Sequence, residues 1–170
     1  GSKKDCAENV MIVDLLRNDL GRISETGSVA VPRLWEVERY ETVLQMTSTV
    51  TSRLRAGVGL TELFAALFPC GSVTGAPKVR TMEILSELEE TPRGIYTGSI
   101  GFVSPGPEAR FNVAIRTVWL DTATGRAEFG VGGGITYDSS EEGEYEECRV
   151  KVRVLTTRRP EFDLLETLLF

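Results

Sequence analysis

The stretch from Gly132 to Lys151 reads GGGITYDSSEEGEYEECRVK. A triple glycine closes an expected strand, a polar turn follows, and the remainder fits a helix. Within that helix Glu144 and Glu147 are three apart, and Lys151 lies four further on. At about 100° per residue, these three project from one side. Tyr145, Cys148, Val152 and Leu155 make an apolar stripe beside them. The carboxylates are therefore expected at the edge of a buried face, where they need a compensating cation. A hard divalent ion such as magnesium suits their oxygens. The preceding glycines let backbone N–H groups come close to an anion. The same residues also fit a surface helix with a Glu147–Lys151 ion pair, so the rest of the chain has to decide.

The chain has 170 residues, enough for one domain with a real core. Its net charge of −6 and lack of a basic stripe argue against a nucleic-acid partner. No apolar run reaches the length of a membrane span, and no signal peptide begins the chain. Gly1-Ser2 looks like a remnant of cloning, so the natural start is expected upstream. Cys6, Cys70 and Cys148 are an odd count without a close pair, which points to reduced thiols and a cytoplasmic setting. Histidine is absent. Zinc sites and Ser-His triads are poor candidates for that reason.

Lys3 to Asn9 is polar and is expected to continue a helix begun upstream, and Val10 to Leu16 suits a buried strand. Arg17-Asn18-Asp19 should then turn the chain. Ser28–Val31 and Thr42–Val50 read as strands. Leu60, Leu63, Phe64 and Leu67 have helical spacing, ended by Pro69. Cys70 to Pro77 reads as a loop, and Pro77 suits the first turn of a helix from Lys78 to about Leu88. Tyr96–Val103, Phe111–Leu120 and Ala127–Val131 read as consecutive strands. Grouped strands with separated helices indicate an α+β protein without the βαβ rhythm of a parallel sheet. Arg158-Arg159-Pro160 reads as a linker, and Phe162–Phe170 as the start of a further element.

Several positions admit both a structural and a functional reading. Glu8 is a lone carboxylate ahead of the first apolar run. Arg17-Asn18-Asp19 fits an ordinary turn. Gly71-Ser72-Val73-Thr74-Gly75-Ala76-Pro77-Lys78 fails the G-x-x-x-x-G-K-[ST] pattern, yet a Gly loop entering a helix offers N–H groups to an anion. Arg116 lies in the apolar run FNVAIRTVWL, with Ala114 and Val118 on its face. Buried there, it needs an anionic partner, either an internal carboxylate or a ligand. GVGGG, residues 130–134, is a weak dinucleotide signal because no helix opens directly after it.

Taken together, AENVMIVDLLRNDLGRI, FPCGSVTGAPKVRTMEIL, GIYTGSIGF, AIRT and GGGITYDSSEEGEYEE resemble the chorismate-utilising enzymes. That family includes the large subunits of anthranilate synthase and aminodeoxychorismate synthase. The order and spacing of the five blocks carry the resemblance. It implies a layered α/β/β/α sandwich, incomplete here, over residues 1–157, with 158–170 a linker and the start of another domain. It implies Mg2+ held by Glu8, Glu144 and Glu147, the middle one acting nearby or through water. Ser72, Tyr96, Arg116, Gly132, Gly133, Gly134 and Lys151 match positions that bind the substrate, chorismate. Lys151 also remains a candidate for a catalytic role. A glutamine amidotransferase subunit is the implied partner, as the source of ammonia.

Three departures qualify the match. Gln45 stands where many relatives have histidine, and glutamine exchanges no proton near neutral pH. Cys148 and Val150 replace the threonine and asparagine of the E-T-x-N-K pattern. The family's P-I-[AK]-G-T segment, whose lysine or alanine separates the two synthases, falls upstream of residue 3. QMTSTV and TPRGIYTGSIGFVSPG look more like the aminodeoxychorismate branch, and EFDLLETLLF resembles the opening of the lyase sometimes fused behind it. The expected activity of the full-length protein is amination of chorismate to 4-amino-4-deoxychorismate, with anthranilate synthesis as the enzymatic alternative. The 170 residues alone could instead be a non-catalytic metal- and anion-binding piece.

Overall fold

Lys3–Gly21 forms one continuous helix, α1. The computed structural model describes residues 3–39, 44–106 and 108–156. The apolar run Val10–Leu16 is thus helical, not a strand, and Arg17-Asn18-Asp19 continues the helix instead of turning the chain. A short apolar run is ambiguous by itself, and here its flanks decide: the residues before and after it are also helix-compatible. Burial follows the helical period. Val13 and Asp19 are buried, while Met11, Asp14, Arg17 and Asn18 face solvent. The turn comes later, where Ile23 N–H donates to Leu20 O.

Strands β1 (Ala30–Arg39) and β2 (Leu44–Thr51) pair antiparallel, with Val37 opposite Met46 and Glu38 opposite Gln45. β1 is longer than the expected Ser28–Val31. Pro32 and the charged residues after it hide its alternation, and the register slips around Arg33 and Glu36, where Trp35 takes φ 57°. Thr42 and Val43 of the expected second strand lie outside the described residues. Ser48 Oγ donates to Asn9 Oδ1 at 2.6 Å, tying β2 to α1.

Helix α2 (Leu60–Leu67) stops just before Pro69, as its spacing predicts. Glu62 reaches back to accept from the Gly59 N–H at 3.0 Å. The expected loop at Cys70–Pro77 contains one helical turn, α3 (Gly71–Thr74), and α4 follows at Lys78–Leu88 with Pro77 at its N-cap. Gly71 is buried, and a β-carbon there would lie 2.0 Å from Leu15 Cδ2 of α1. β3 (Ser99–Val103) and β4 (Ala109–Val113) form a second antiparallel pair. Phe64 of α2 meets Phe111 of β4 edge-on, with centroids 4.8 Å apart. Among the described residues, Val13, Ile23, Ala66 and Ala114 are the buried apolar residues of this first compact unit, Gly1–Ala114.

The expected strand Phe111–Leu120 is two strands. β4 ends at Val113, and β5 (Val118–Asp121) starts after a break. β5 pairs with β6 (Arg126–Phe129) in the second unit, Ile115–Phe170. Asp121 closes that hairpin, Oδ1 accepting from Ala123 N–H at 2.9 Å and Oδ2 from Thr124 Oγ1 at 2.7 Å. Those hydrogen bonds, the Thr124 hydroxyl first, hold its carboxyl below the usual range. Helix α5 (Glu141–Thr156) completes the unit. The three described strand pairs are all antiparallel, in keeping with an α+β protein. Residues 158–170 lie outside the described residues.

Because Gly71 lets α3 approach α1, Gly71→Ala should cost about 1–3 kcal/mol through displacement of Leu15. Urea unfolding monitored by circular dichroism measures this. An unchanged midpoint would show that Leu15 rotates away freely.

Candidate active site

Helix α5 opens on Ser140, whose Oγ accepts from the Gly143 N–H at 3.2 Å. Glu141, Glu142 and Glu144 occupy its first turn, where the positive end of the helix dipole favours them. One turn in, Glu144 leans back over the glycine segment. Ser139 Oγ donates to its Oε1 at 2.5 Å. Its Oε2 is buried, has no hydrogen-bond partner, and would lie 2.6 Å from a β-carbon at Gly133. Only glycine leaves that carboxylate oxygen its place.

Glu147 Oε1 lies 3.6 Å from the same virtual β-carbon. Lys151 then bridges the two segments, its Nζ donating to Glu147 Oε1 at 2.6 Å and to Gly132 O at 2.7 Å. Gly132, Gly133, Glu144, Glu147 and Lys151 are therefore assembled within one unit, as their spacing suggests. The apolar stripe differs from expectation. Tyr145 is 69% and Leu155 49% exposed, because no strand or helix of the unit packs broadly against α5. Glu144 is half-buried, with Ser139 and the glycine segment beside it.

Arg116 also departs from expectation. It sits in the break between β4 and β5 with φ 50°, and it is exposed, not buried in an apolar strand. The cause is Ala114, whose N–H and C=O bond to Gly98 O and Thr97 N, both at 2.9 Å. The chain leaves that pairing through a left-handed residue. An exposed arginine needs no internal counter-charge, and no ion pair to Arg116 exists among the described residues.

In the first unit, Ser72 is exposed on α3, its Oγ 3.2 Å from Cys70 Sγ. Tyr96 is half-buried in the turn before β3, so the expected strand Tyr96–Val103 begins three residues later. Gln45 is exposed on β2, and its amide reaches only Met46 O at 3.4 Å. Glu8 is exposed on α1. No cluster of three or more Asp, Glu, Cys or His able to hold a metal exists among the described residues. Cys6, Cys70 and Cys148 are free and partly buried.

Two charged pairs escaped the sequence reading. Asp19 of α1 is 4% exposed, and Lys78 Nζ lies 2.7 Å from its Oδ2 without a well-aligned hydrogen bond there. Lys78 opens α4, so the pair anchors the end of the Gly71–Lys78 loop to α1. Reading Asp19 as a turn residue hid it. Arg93 grips Glu89 by two donors, Nε to Oε2 at 2.8 Å and Nη2 to Oε1 at 2.6 Å. The i,i+4 spacing of Glu89 and Arg93 was the available signal. The Arg93 hydrogen bond holds the Glu89 carboxyl below its ordinary range, against a smaller opposing effect of burial.

Comparisons with known proteins place this α+β chain in a family. A model of the chorismate binding enzyme family matches residues 1–157, and the chain belongs to that family. It is 51% identical over 152 residues to aminodeoxychorismate synthase component 1 of Salmonella typhimurium, covering 89% of this chain and 33% of that protein. It is 44% identical to anthranilate synthase component 1 of Methanothermobacter marburgensis, over 90% of this chain and 33% of that protein. The crystal structure of anthranilate synthase component I from Streptococcus pneumoniae superposes with a TM-score of 0.83 at 42% identity, covering 92% of this chain and 35% of that one. The chain spans 17% to 33% of the length of the first relatives it matches. No helix among the described residues is long and apolar enough to cross a membrane.

Lys78→Met should cost about 3–5 kcal/mol, since it strands the buried Asp19 charge, whereas Asp19→Asn with Lys78→Met should recover much of that loss. Chemical denaturation of the single and double variants measures it; equal losses in both would show that the charges are not coupled. For Glu89, a depressed carboxyl adds stability above its unfolded value of about 4.3, lost as pH falls through the lower folded value. The stability difference between wild type and Glu89→Gln, no more than about 1 kcal/mol at so exposed a pair, should shrink as pH falls below about 4. A difference constant across that window would remove the pair from the acid response.

Proposed function

We propose that this chain is part of an aminodeoxychorismate synthase component I. The full-length protein would convert chorismate and ammonia to 4-amino-4-deoxychorismate, on the way to p-aminobenzoate and folate. The observation that carries this reading is the assembled Gly132–Gly133, Glu144, Glu147 and Lys151 cluster in a chain of this family. The higher identity to the Salmonella synthase than to the archaeal anthranilate synthase favours the amination product at C4. Anthranilate synthesis is the second reading, favoured by the fit to the Streptococcus structure.

Chorismate is a dianion. On this proposal Arg116 and the N–H groups of Gly132–Gly134 receive its carboxylates, while Ser72 and Tyr96 contact its side chain and hydroxyl. Lys151 is already engaged by Glu147 and Gly132 O, so it shapes the site by holding the glycine segment on α5. Mg2+ fits one feature directly: Glu144 Oε2 is a buried, unpartnered hard oxygen donor. Glu147 and Glu8 are the other acids that the family resemblance assigns to the ion, and magnesium commonly takes its other ligands from water and substrate. When bound, the ion would polarise the substrate carboxylate. The remaining layers of an α/β/β/α sandwich and an amidotransferase that supplies ammonia belong to the same proposal. Three free thiols suit a cytoplasmic protein.

Product analysis of the full-length protein with chorismate, Mg2+ and an ammonium salt tests the function. Aminodeoxychorismate, or p-aminobenzoate once lyase acts, is expected; anthranilate as the product would move the protein to the other branch. Glu144→Gln and Glu147→Gln should each lower magnesium-dependent turnover by about 100-fold or more with unchanged circular dichroism. Undiminished turnover in both would sink the metal assignment.

A further inference from the structure

Arg93 is the most heavily used side chain outside the residues assigned to the substrate. Its Nε and Nη2 hold Glu89, at the end of α4. Its Nη1 donates to Val73 O at 3.0 Å, next to Ser72, and stands 3.4 Å from Thr97 Oγ1. Its guanidinium carbon is 6.0 Å from the centroid of the Tyr96 ring. One planar fork thus joins the backbone beside Ser72 to the turn that presents Tyr96, and Glu89 fixes the orientation of the fork.

The turn needs such a hold. Thr97, a β-branched residue, adopts φ 63°, an arrangement that persists only where its surroundings impose it. On its backbone side Thr97 N–H donates to the buried Ala114 O. On its side-chain side the neighbouring group is Arg93. Tyr96 N–H in turn donates to Arg93 O at 3.1 Å, so the residue that clamps the turn also starts it.

We propose that Arg93 is a positioning residue that sets the Ser72 turn and the Tyr96 turn at one fixed separation, so that both meet the same substrate. The inference rests on the substrate roles of Ser72 and Tyr96 given above. Loss of the fork loosens both turns and uncouples them. The cost then falls on substrate binding and not on the chemical step.

The test uses the full-length protein with Arg93→Ala. KM for chorismate should rise about tenfold with kcat within about threefold, because the lost interaction serves ground state and transition state alike. Amide hydrogen exchange should accelerate together in residues 70–75 and 94–98 while α1 and β1–β2 stay protected. Arg93→Lys keeps the charge but not the fork, so it should show the same pattern at smaller size, and it replaces Arg93→Ala if that variant does not fold. An unchanged KM, or acceleration in one segment only, overturns the proposal. Wild-type protein that leaves chorismate unchanged refutes the functional reading instead, and the exchange experiment still decides whether Arg93 couples the two turns.

Discussion

The backbone of Ala114 constrains more of this structure than any side chain does. It is fully buried, and both its polar groups are used, one by Thr97 and one by Gly98. A buried peptide must find such partners, and these come from the turn before β3. The pairing ends β4, forces Thr97 into the left-handed region and sends the chain out through Arg116, also left-handed. Tyr96 lies one residue before the Thr97 so held, and Arg116 follows two residues after Ala114 in the chain. The boundary between the two compact units falls directly after it.

That constraint also explains what could and could not be read from the sequence. Helices α2 and α4 were legible because 3.6-residue spacing and proline punctuation agree there. The shared side of Glu144, Glu147 and Lys151 and the Glu147–Lys151 pair were legible because residues three and four apart on a helix are neighbours, whereas the tie from Lys151 to the Gly132 carbonyl was not. The break within Phe111–Leu120 was not, since FNVAIRTVWL alternates well enough for one strand, and the hydrogen bonds that interrupt it come from residues 97 and 98. Helix α1 was misread for a different reason: its apolar centre fits either period, and only the burial of Val13 and Asp19, with Ile12, Leu16 and Leu20 half-buried alongside, shows which applies. Long-range pairing leaves no mark in local pattern.

The helical carboxylates illustrate how a structural and a functional reading can share residues. The Glu147–Lys151 ion pair of a plain surface helix is present, at 2.6 Å. Exposed pairs of this kind contribute little to stability by themselves. What distinguishes this one is its third member, the Gly132 carbonyl, which turns a pair along one helix into a tie between helix and loop. Glu144 marks the contrast further. It is pinned by Ser139 through one oxygen, and the other is buried against Gly133 without any donor. A surface helix would not hold a carboxylate oxygen that way, because desolvation without a partner is unfavourable.

The distribution of cations sharpens the same point. Within a chain of net charge −6, Lys78 is engaged by Asp19, Arg93 by Glu89 and Lys151 by Glu147. Lys151 is itself a candidate site residue and the other two lie close in sequence to one, and each is already neutralised by a carboxylate. They organise loops and turns; they have little charge left to offer a dianion. Arg116 is exposed, has no ion pair among the described residues, and is displayed by a left-handed backbone. On the function proposed above, Arg116 and backbone N–H groups would be the groups that meet a substrate carboxylate.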